Sequence, residues 1–476
     1  MSMEKIFVGR EEEKGILQKA FESRASRFVA VFGRRRVGKT FLIRHVLSEK
    51  FSFQMTAIAN ASAGQQILNF HAALQRQGGN FPAIPKDWFS AFQNLIDFLE
   101  ASPQEKKVVF LDELPWLAAK KSDFLQSLEH FWNSWASARQ DVLLVVCGSS
   151  ASWMVNELLK NRGGLHNRVT DRIRLEPFTL RETEIFLHTK NPALDRYSIV
   201  QMYMVMGGVP FYLDAVSGQE SAMQNIERVC FSKNGVLREE FTFLLQSLFS
   251  KAEQHIAILS ALSAKNKGLT RNEIVAATHL HNSGRLTLIL SELEESGFVQ
   301  PYVPFGKNKR DTLFRLSDFY TAFYFKFIRN ATLLDENNWL NALESGRYQS
   351  WKGYAFEQVC LGHVRQIKRA LGIQGIVSHT ASWQSTEADM GAQIDLLIDR
   401  KDRVINVFEI KFSESPFVIT KAYADILRNK IAAFRMETNT PKTLFLTFVA
   451  ANGLADNEYA RQLAHDVVDM DALFSS

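Results

Sequence analysis

Cysteine is scarce in this chain. Cys147, Cys230 and Cys360 are the only three, too scattered for a zinc pattern and too few for a disulfide framework, and a reducing cytosol suits them. The sequence also lacks any run of the roughly 18 apolar residues that a membrane helix needs. Its first ten residues hold no apolar core of signal-peptide length. No internal repeat, collagen-like period or low-complexity tract occurs. Charge of one sign is not in large excess: the net formal charge is +5, which permits a nucleic-acid partner without demanding one. What remains is an ordinary globular balance, 46% hydrophobic and 22% charged over 476 residues, with a length prior of about three domains. A cytoplasmic protein is expected.

The most informative stretch is Gly33-Arg34-Arg35-Arg36-Val37-Gly38-Lys39-Thr40. It fits G-x-x-x-x-G-K-[ST], the loop that cradles nucleoside-triphosphate phosphates. An apolar run, Phe28-Val-Ala-Val-Phe32, enters it as a buried strand, and an amphipathic run from Phe41 to Leu47 leaves it as a helix. Gly33 and Gly38 let the backbone turn its N–H groups inward, and the helix N-terminus adds a positive dipole end. The candidate ATP-contacting set is therefore Gly33 to Phe41 without a gap. Lys39 is expected at the β- and γ-phosphates, with the Thr40 hydroxyl on Mg²⁺.

Two further strands carry polar tips. Val108-Val-Phe-Leu-Asp112-Glu113 reads as a buried parallel strand ending where open α/β sheets place their sites. Asp112 is the expected Mg²⁺ holder, and Glu113 the group that orients the attacking water. Val142-Leu-Leu-Val-Val-Cys147-Gly-Ser149-Ser150 ends in hydroxyls that suit either a γ-phosphate sensor or a helix N-cap. Upstream, Phe7-Val8-Gly9-Arg10-Glu11 reads either as a cover for adenine or as a helix cap. Downstream, Arg168 is a candidate transition-state arginine, in cis or across a subunit boundary. A merely solvated base is the other reading.

The phosphate loop, the Leu-Asp-Glu strand, the Gly-Ser-Ser strand end, Phe-Val-Gly-Arg-Glu and Gly207-Gly208-Val209-Pro210 together resemble the archaeal-type ATPases of the AAA+ superfamily, neighbours of the signalling (STAND) ATPases. The resemblance implies a five-stranded parallel ATPase core and a helical lid in which Gly207 to Pro210 lie near the nucleotide. It also implies an arginine at the position of Arg168, where His166-Asn167 replace the family's Tyr-Gly.

Residues 178–250 read as helical. Over 251–316 three helical runs precede a hairpin, the order of a winged helix, with a basic loop Gly306-Lys-Asn-Lys-Arg310 that suits phosphates or serves only as part of a spacer. Residues 317–345 read as an aromatic-rich connecting helix. In the last part, Glu409 and Lys411 alternate onto one face of the strand Val404–Phe412. Buried there, they need each other, a metal or Asp395. Asp395 followed by Glu409-Ile-Lys411, with Glu357 on a preceding helix, resembles the PD-(D/E)xK nucleases. That resemblance implies Asp395, Glu409 and Glu357 on Mg²⁺ and Lys411 at the hydrolytic water. A strand-end salt bridge is the plainer reading.

The expected class is α/β: a P-loop ATPase core (1–177), helical lid (178–250), winged helix (251–316), connecting helix (317–345) and nuclease-like domain (346–476). The leading function is a Mg²⁺-dependent ATPase coupled to DNA binding or cleavage. The alternative is an ATP-dependent assembly switch whose C-terminal domain only binds, with oligomeric state left open.

Overall fold

The computed structural model describes residues 7–118, 122–160, 165, 167–249, 251–331, 338–385 and 391–475. The chain forms two compact units, Met1–Pro177 with Ser291–Gly297, and Phe178–Leu290 with Phe298–Ser476.

The first unit is built on strands β1 (Arg27–Phe32), β2 (Phe51–Thr56), β3 (Lys107–Asp112), β4 (Val142–Gly148) and β5 (Asp171–Arg174) in the order β2-β3-β4-β1-β5. All four pairings are parallel. Helices cover both faces, which is why these strands read as continuous apolar runs. Along β1, Phe28, Ala30 and Phe32 enter one apolar cluster, while Val29 and Val31 enter the other. The order places the C-terminal tips of β1 and β3 on either side of β4, with Phe32 opposite Gly148 and Leu111 opposite Val146. The phosphate loop, the Asp112-Glu113 pair and Ser149 thus leave neighbouring strands at one edge, the usual place for a ligand in such sheets.

The second unit begins with helices Leu180–His188, Arg196–Met206, Pro210–Asp214, Ala222–Cys230 and Glu240–Leu248. Gly207 and Gly208 join two of these with φ of 64° and 67°, backbone that favours glycine. A Cβ on Gly208 would run into the Phe178 carbonyl. Next come helices Ala252–Ser263, Arg271–Thr278 and Gly284–Glu295, the last counted with this unit only as far as Leu290, with a small sheet of β6 (Leu269–Thr270), β7 (Val299–Tyr302) and β8 (Leu313–Leu316) in the order β6-β8-β7. The stretch expected as one connecting helix holds two pieces. A helix from Phe319 widens into a π-type turn ending at Ile328, and a separate helix spans Asn338–Ala342. Residues 332–337 between them lie outside the described residues.

The last part has a mixed sheet of β9 (Ser378–Gln384), β10 (Gln393–Arg400), β11 (Val404–Lys411), β12 (Thr443–Ala450) and β13 (Asp466–Asp469) in the order β13-β12-β11-β10-β9. The β9, β10 and β11 pairings are antiparallel, and those of β11, β12 and β13 are parallel. Helices Gly346–Gly362 and Lys421–Thr438 belong to this part. Sequence periodicity marks β10, β11 and β12 but not β9, β13 or the Lys421–Thr438 helix.

His363 ties the start of this unit to its last part. Its Nε2 accepts the Leu180 N–H at 3.2 Å, and its Nδ1 lies 2.8 Å from the Val359 carbonyl. That pair of bonds needs a neutral ring protonated on Nδ1. Burial lowers the pKa from its usual 6.5. A lowered histidine pKa gives stability that is whole above the unfolded value and is lost as pH falls through the folded one. Urea titrations from pH 8 to 5 should therefore show the wild type losing about 1–3 kcal/mol more than His363→Gln below pH 6.5. Parallel pH profiles for the two proteins would refute the assignment.

Candidate nucleotide site and a second carboxylate cluster

Backbone geometry shapes the phosphate loop. Gly33 has φ 140°, and a Cβ there would collide with the Leu175 carbonyl. Gly38 has φ 93° and opens the helix Lys39–Leu47. Val37 is buried in the apolar cluster beneath and pins the loop; Arg34 is buried as well, while Arg35 and Arg36 are half-exposed. Arg36 also has positive φ, at 71°.

The Lys39 ammonium is buried and donates to the carbonyls of Gly33 at 3.1 Å and Arg34 at 2.8 Å. Burial lowers its pKa, opposed by the nearby charges of Glu113 and Asp112. The Thr40 hydroxyl lies 3.1 Å from both oxygens of Asp112. Burial raises the Asp112 pKa, and Glu113 beside it raises it further. A hydroxyl next to a carboxylate is a hard-oxygen donor set, which fits Mg²⁺.

Glu113 is held in left-handed backbone, φ 54°. Its Oε2 accepts from the Ser149 hydroxyl at 2.7 Å and the Ser149 N–H at 3.2 Å. Ser149, which suits either a phosphate sensor or a cap by its position in the sequence, is tied to the Glu113 carboxylate. Ser150 precedes a three-residue helix and makes no side-chain cap bond.

Phe7 stacks on His45 with centroids 4.1 Å apart and on Phe41 at 5.7 Å. Arg10 closes the front of the helix Glu11–Glu22 in left-handed backbone, and its guanidinium donates to the Glu176 carbonyl at 2.6 Å. Arg168 is exposed, its N–H bonded to the Leu165 carbonyl at 3.0 Å. His166, which precedes it, lies outside the described residues.

The second unit gathers the other sequence-selected charges. Glu357 feels the charges of Asp395, Glu409 and Lys411. Burial, then the Asp395 and Glu409 charges, push the Glu357 pKa up to about 8. Burial raises Asp395 as well, and the Gln393 amide donates to its Oδ1 at 2.5 Å. Glu409 goes the other way. Burial would raise it, but Lys430 and Lys411 hold it below the usual carboxylate range. Lys411 Nζ sits 2.9 Å from its Oε1, Lys430 Nζ 2.6 Å from its Oε2, and the Tyr423 hydroxyl donates to Oε1.

Lys430 and Tyr423 were not legible in the sequence. They come from the helix Lys421–Thr438, which carries no motif, and an isolated lysine has no spacing to betray it. Among the described residues no group of three or more His, Cys, Asp or Glu side chains stands close enough to hold a metal ion. Glu357, Asp395 and Glu409 are thus neighbours through their charges and not a closed ligand set.

Residues 7–216 match the family model described as an ATPase domain predominantly from Archaea. The front of the chain is thus similar to the archaeal-type ATPase domains. A solved structure, the Walker-type ATPase of Pyrococcus abyssi, shares 16% identity over 67% of this chain and 96% of its own, with a TM-score of 0.51. That likeness shows the fold. A protein of Methanocaldococcus jannaschii described as uncharacterised is 24% identical over 430 residues, 89% of this chain and 91% of its own length. In the first unit the parallel five-stranded sheet agrees with the sequence expectation. No helix among the described residues is long and apolar enough to cross a membrane.

Proposed function

We propose that the chain is a Mg²⁺-dependent ATPase whose nucleotide cycle governs a nucleic-acid-processing C-terminal domain. One observation carries the ATPase half: Lys39, Thr40, Asp112 and Glu113 converge at one sheet edge with Thr40 already on Asp112. Loop N–H groups of Gly33 to Gly38 would receive the phosphates, and Lys39 would exchange its two carbonyl partners for β- and γ-phosphate oxygens. Bound Mg²⁺ would neutralise charge on those phosphates, with Thr40 and Asp112 as its holders. Glu113 would orient the attacking water and accept its proton, while Ser149 fixes the carboxylate's direction. Arg168 is the proposed arginine at the transferring phosphate, supplied in cis or by a second copy.

In this reading residues 178–250 act as the lid, 251–316 as a winged helix and 346–476 as a nuclease-like domain. Support for the last is the quartet of buried Glu409 with half-buried Glu357, Asp395 and Lys411, two of whose carboxyls have raised pKa values. Carboxyls that resist ionising together are primed for a divalent cation. Asp395 and Glu357 would bind it, with Glu409 joining if the lysines release it. Lys411 would sit at the hydrolytic water.

A second reading has its own observation. Both oxygens of Glu409 are already engaged by cations, as befits a structural ion pair in a domain that binds without cutting, under an ATP-driven assembly switch.

A nicking assay separates the two. Plasmid and single-stranded DNA are incubated with Mg²⁺ or Mn²⁺, with and without ATP. Wild type is expected to cleave, and Asp395→Ala to lose at least about 10²-fold in rate with ATP turnover intact. Absence of wild-type cleavage under every condition, with ATP hydrolysed, would move the switch reading to first place.

A further inference from the structure

A cleft of about 930 Å³ in the second unit is lined by Glu357 and Asp395 and also by Arg315, Lys267 and Lys307 from the β6–β8 region. The hairpin that supplies Arg315 and Lys307 is not a free wing. The Phe305 N–H donates to the Ser382 carbonyl of β9 at 2.7 Å, and the Phe305 ring packs on Phe434 at 5.4 Å. Lys267 Nζ reaches Gln384 Oε1 at 3.1 Å. The basic hairpin is therefore part of the same body as the carboxylate sheet.

Arg315 is the telling residue. Its guanidinium bonds the Gln300 amide oxygen and lies over the Tyr302 ring at 5.0 Å. Among the described residues no carboxylate pairs with Arg315, Lys267 or Lys307. A half-buried guanidinium whose hydrogen-bond partner is a neutral amide is a costly arrangement unless an anion completes it. The Asp395 charge is felt at Arg315.

We propose that this cleft holds one strand of nucleic acid, with Arg315 and Lys267 gripping its phosphates and Tyr302 offering a face to a base. Cationic grooves interleaved with aromatic rings are the hallmark of sequence-tolerant single-strand binding. The volume is that of an ordinary ligand pocket, enough for a few nucleotides. Delivery of the strand to Glu357 and Asp395 for cleavage rests on the nuclease reading above; the grip itself does not.

The test is fluorescence anisotropy of a labelled single-stranded oligonucleotide with the full chain in EDTA, which removes cleavage from the measurement. Arg315→Gln and Lys267→Gln are each expected to weaken binding about fivefold or more and to reduce the salt slope by about 0.7. A matched duplex should bind less tightly. Lys267 is exposed, so its variant decides the matter if Arg315→Gln disturbs folding. Wild-type affinity in both variants, no strand binding by wild type, or equal binding of the duplex would each overturn the proposal. Strand binding lost in both variants, with no cleavage by wild type in Mg²⁺ or Mn²⁺, keeps the grip and removes the nuclease. Cleavage lost in Asp395→Ala, with strand affinity unmoved by Arg315→Gln and Lys267→Gln, does the reverse.

Discussion

Glu113→Gln is expected to slow ATP turnover by about 10²- to 10⁴-fold, the usual size of a general-base contribution. At about 1.4 kcal/mol per decade that is roughly 3–5 kcal/mol of transition-state stabilisation. Nucleotide affinity should stay within a few-fold, because Glu113 touches neither the loop nor Thr40 in the structure. The amide is nearly isosteric and its oxygen still accepts from Ser149, which lies 2.7 Å from the native carboxylate, so local geometry should survive. Ser149→Ala removes only that orienting bond and should cost about tenfold. Turnover and nucleotide dissociation constants measured on the same preparations check both. If Glu113→Gln turns over ATP at the wild-type rate, the water is positioned by another group. If it loses nucleotide binding and turnover in parallel, the residue supports the fold of the loop and not the chemistry.

The second large effect concerns stability. Glu409 is buried, and its two carboxylate oxygens receive Lys411 and Lys430. Glu409→Ala leaves both ammonium groups in the sheet's polar pocket without their counter-ion. Breaking a buried pair by removing one partner costs about 3–5 kcal/mol, and that is the expected loss in urea unfolding of the C-terminal part. Adding Lys430→Met to Glu409→Ala should recover a substantial share, since it removes one stranded charge; Lys430 is the more buried lysine, with side-chain exposure of 16% against 27% for Lys411. A loss below about 1 kcal/mol would mean that the lysines turn to solvent when released. No recovery in the double variant would mean that the penalty comes from the cavity and not from the charge. The outcome also bears on function: a carboxylate that can be deleted cheaply is one that can be lent to a metal.

How legible each site was follows from how its residues are spaced. The phosphate loop is a contiguous motif flanked by a strand and a helix, so local rules locate it. Asp112 and Glu113 end an apolar strand, and such tips lie at the ligand edge of a parallel sheet. The alternation that put Glu409 and Lys411 on one face of β11 is equally local. Ser149 was visible but ambiguous, because a serine after a strand caps a helix as readily as it orients an acid. Lys430, Tyr423, Gln393 and Arg315 carried no signal at all. Each is a lone polar residue in an element with its own amphipathic pattern, and only its neighbours in space give it a role.

By itself the sequence determined the elements that carry phosphate-loop chemistry, the polar tips of β3 and β4, and the paired charges on β11. These follow from short-range sterics, glycine's left-handed freedom and the two-residue period of strands. Tertiary structure alone decided the strand order that sets β4 between β1 and β3, the bond from Ser149 to Glu113, the second lysine on Glu409, and the docking of the basic hairpin against β9. Those contacts join residues tens to hundreds of positions apart. They depend on which apolar faces bury against which, a choice made by packing across the whole unit.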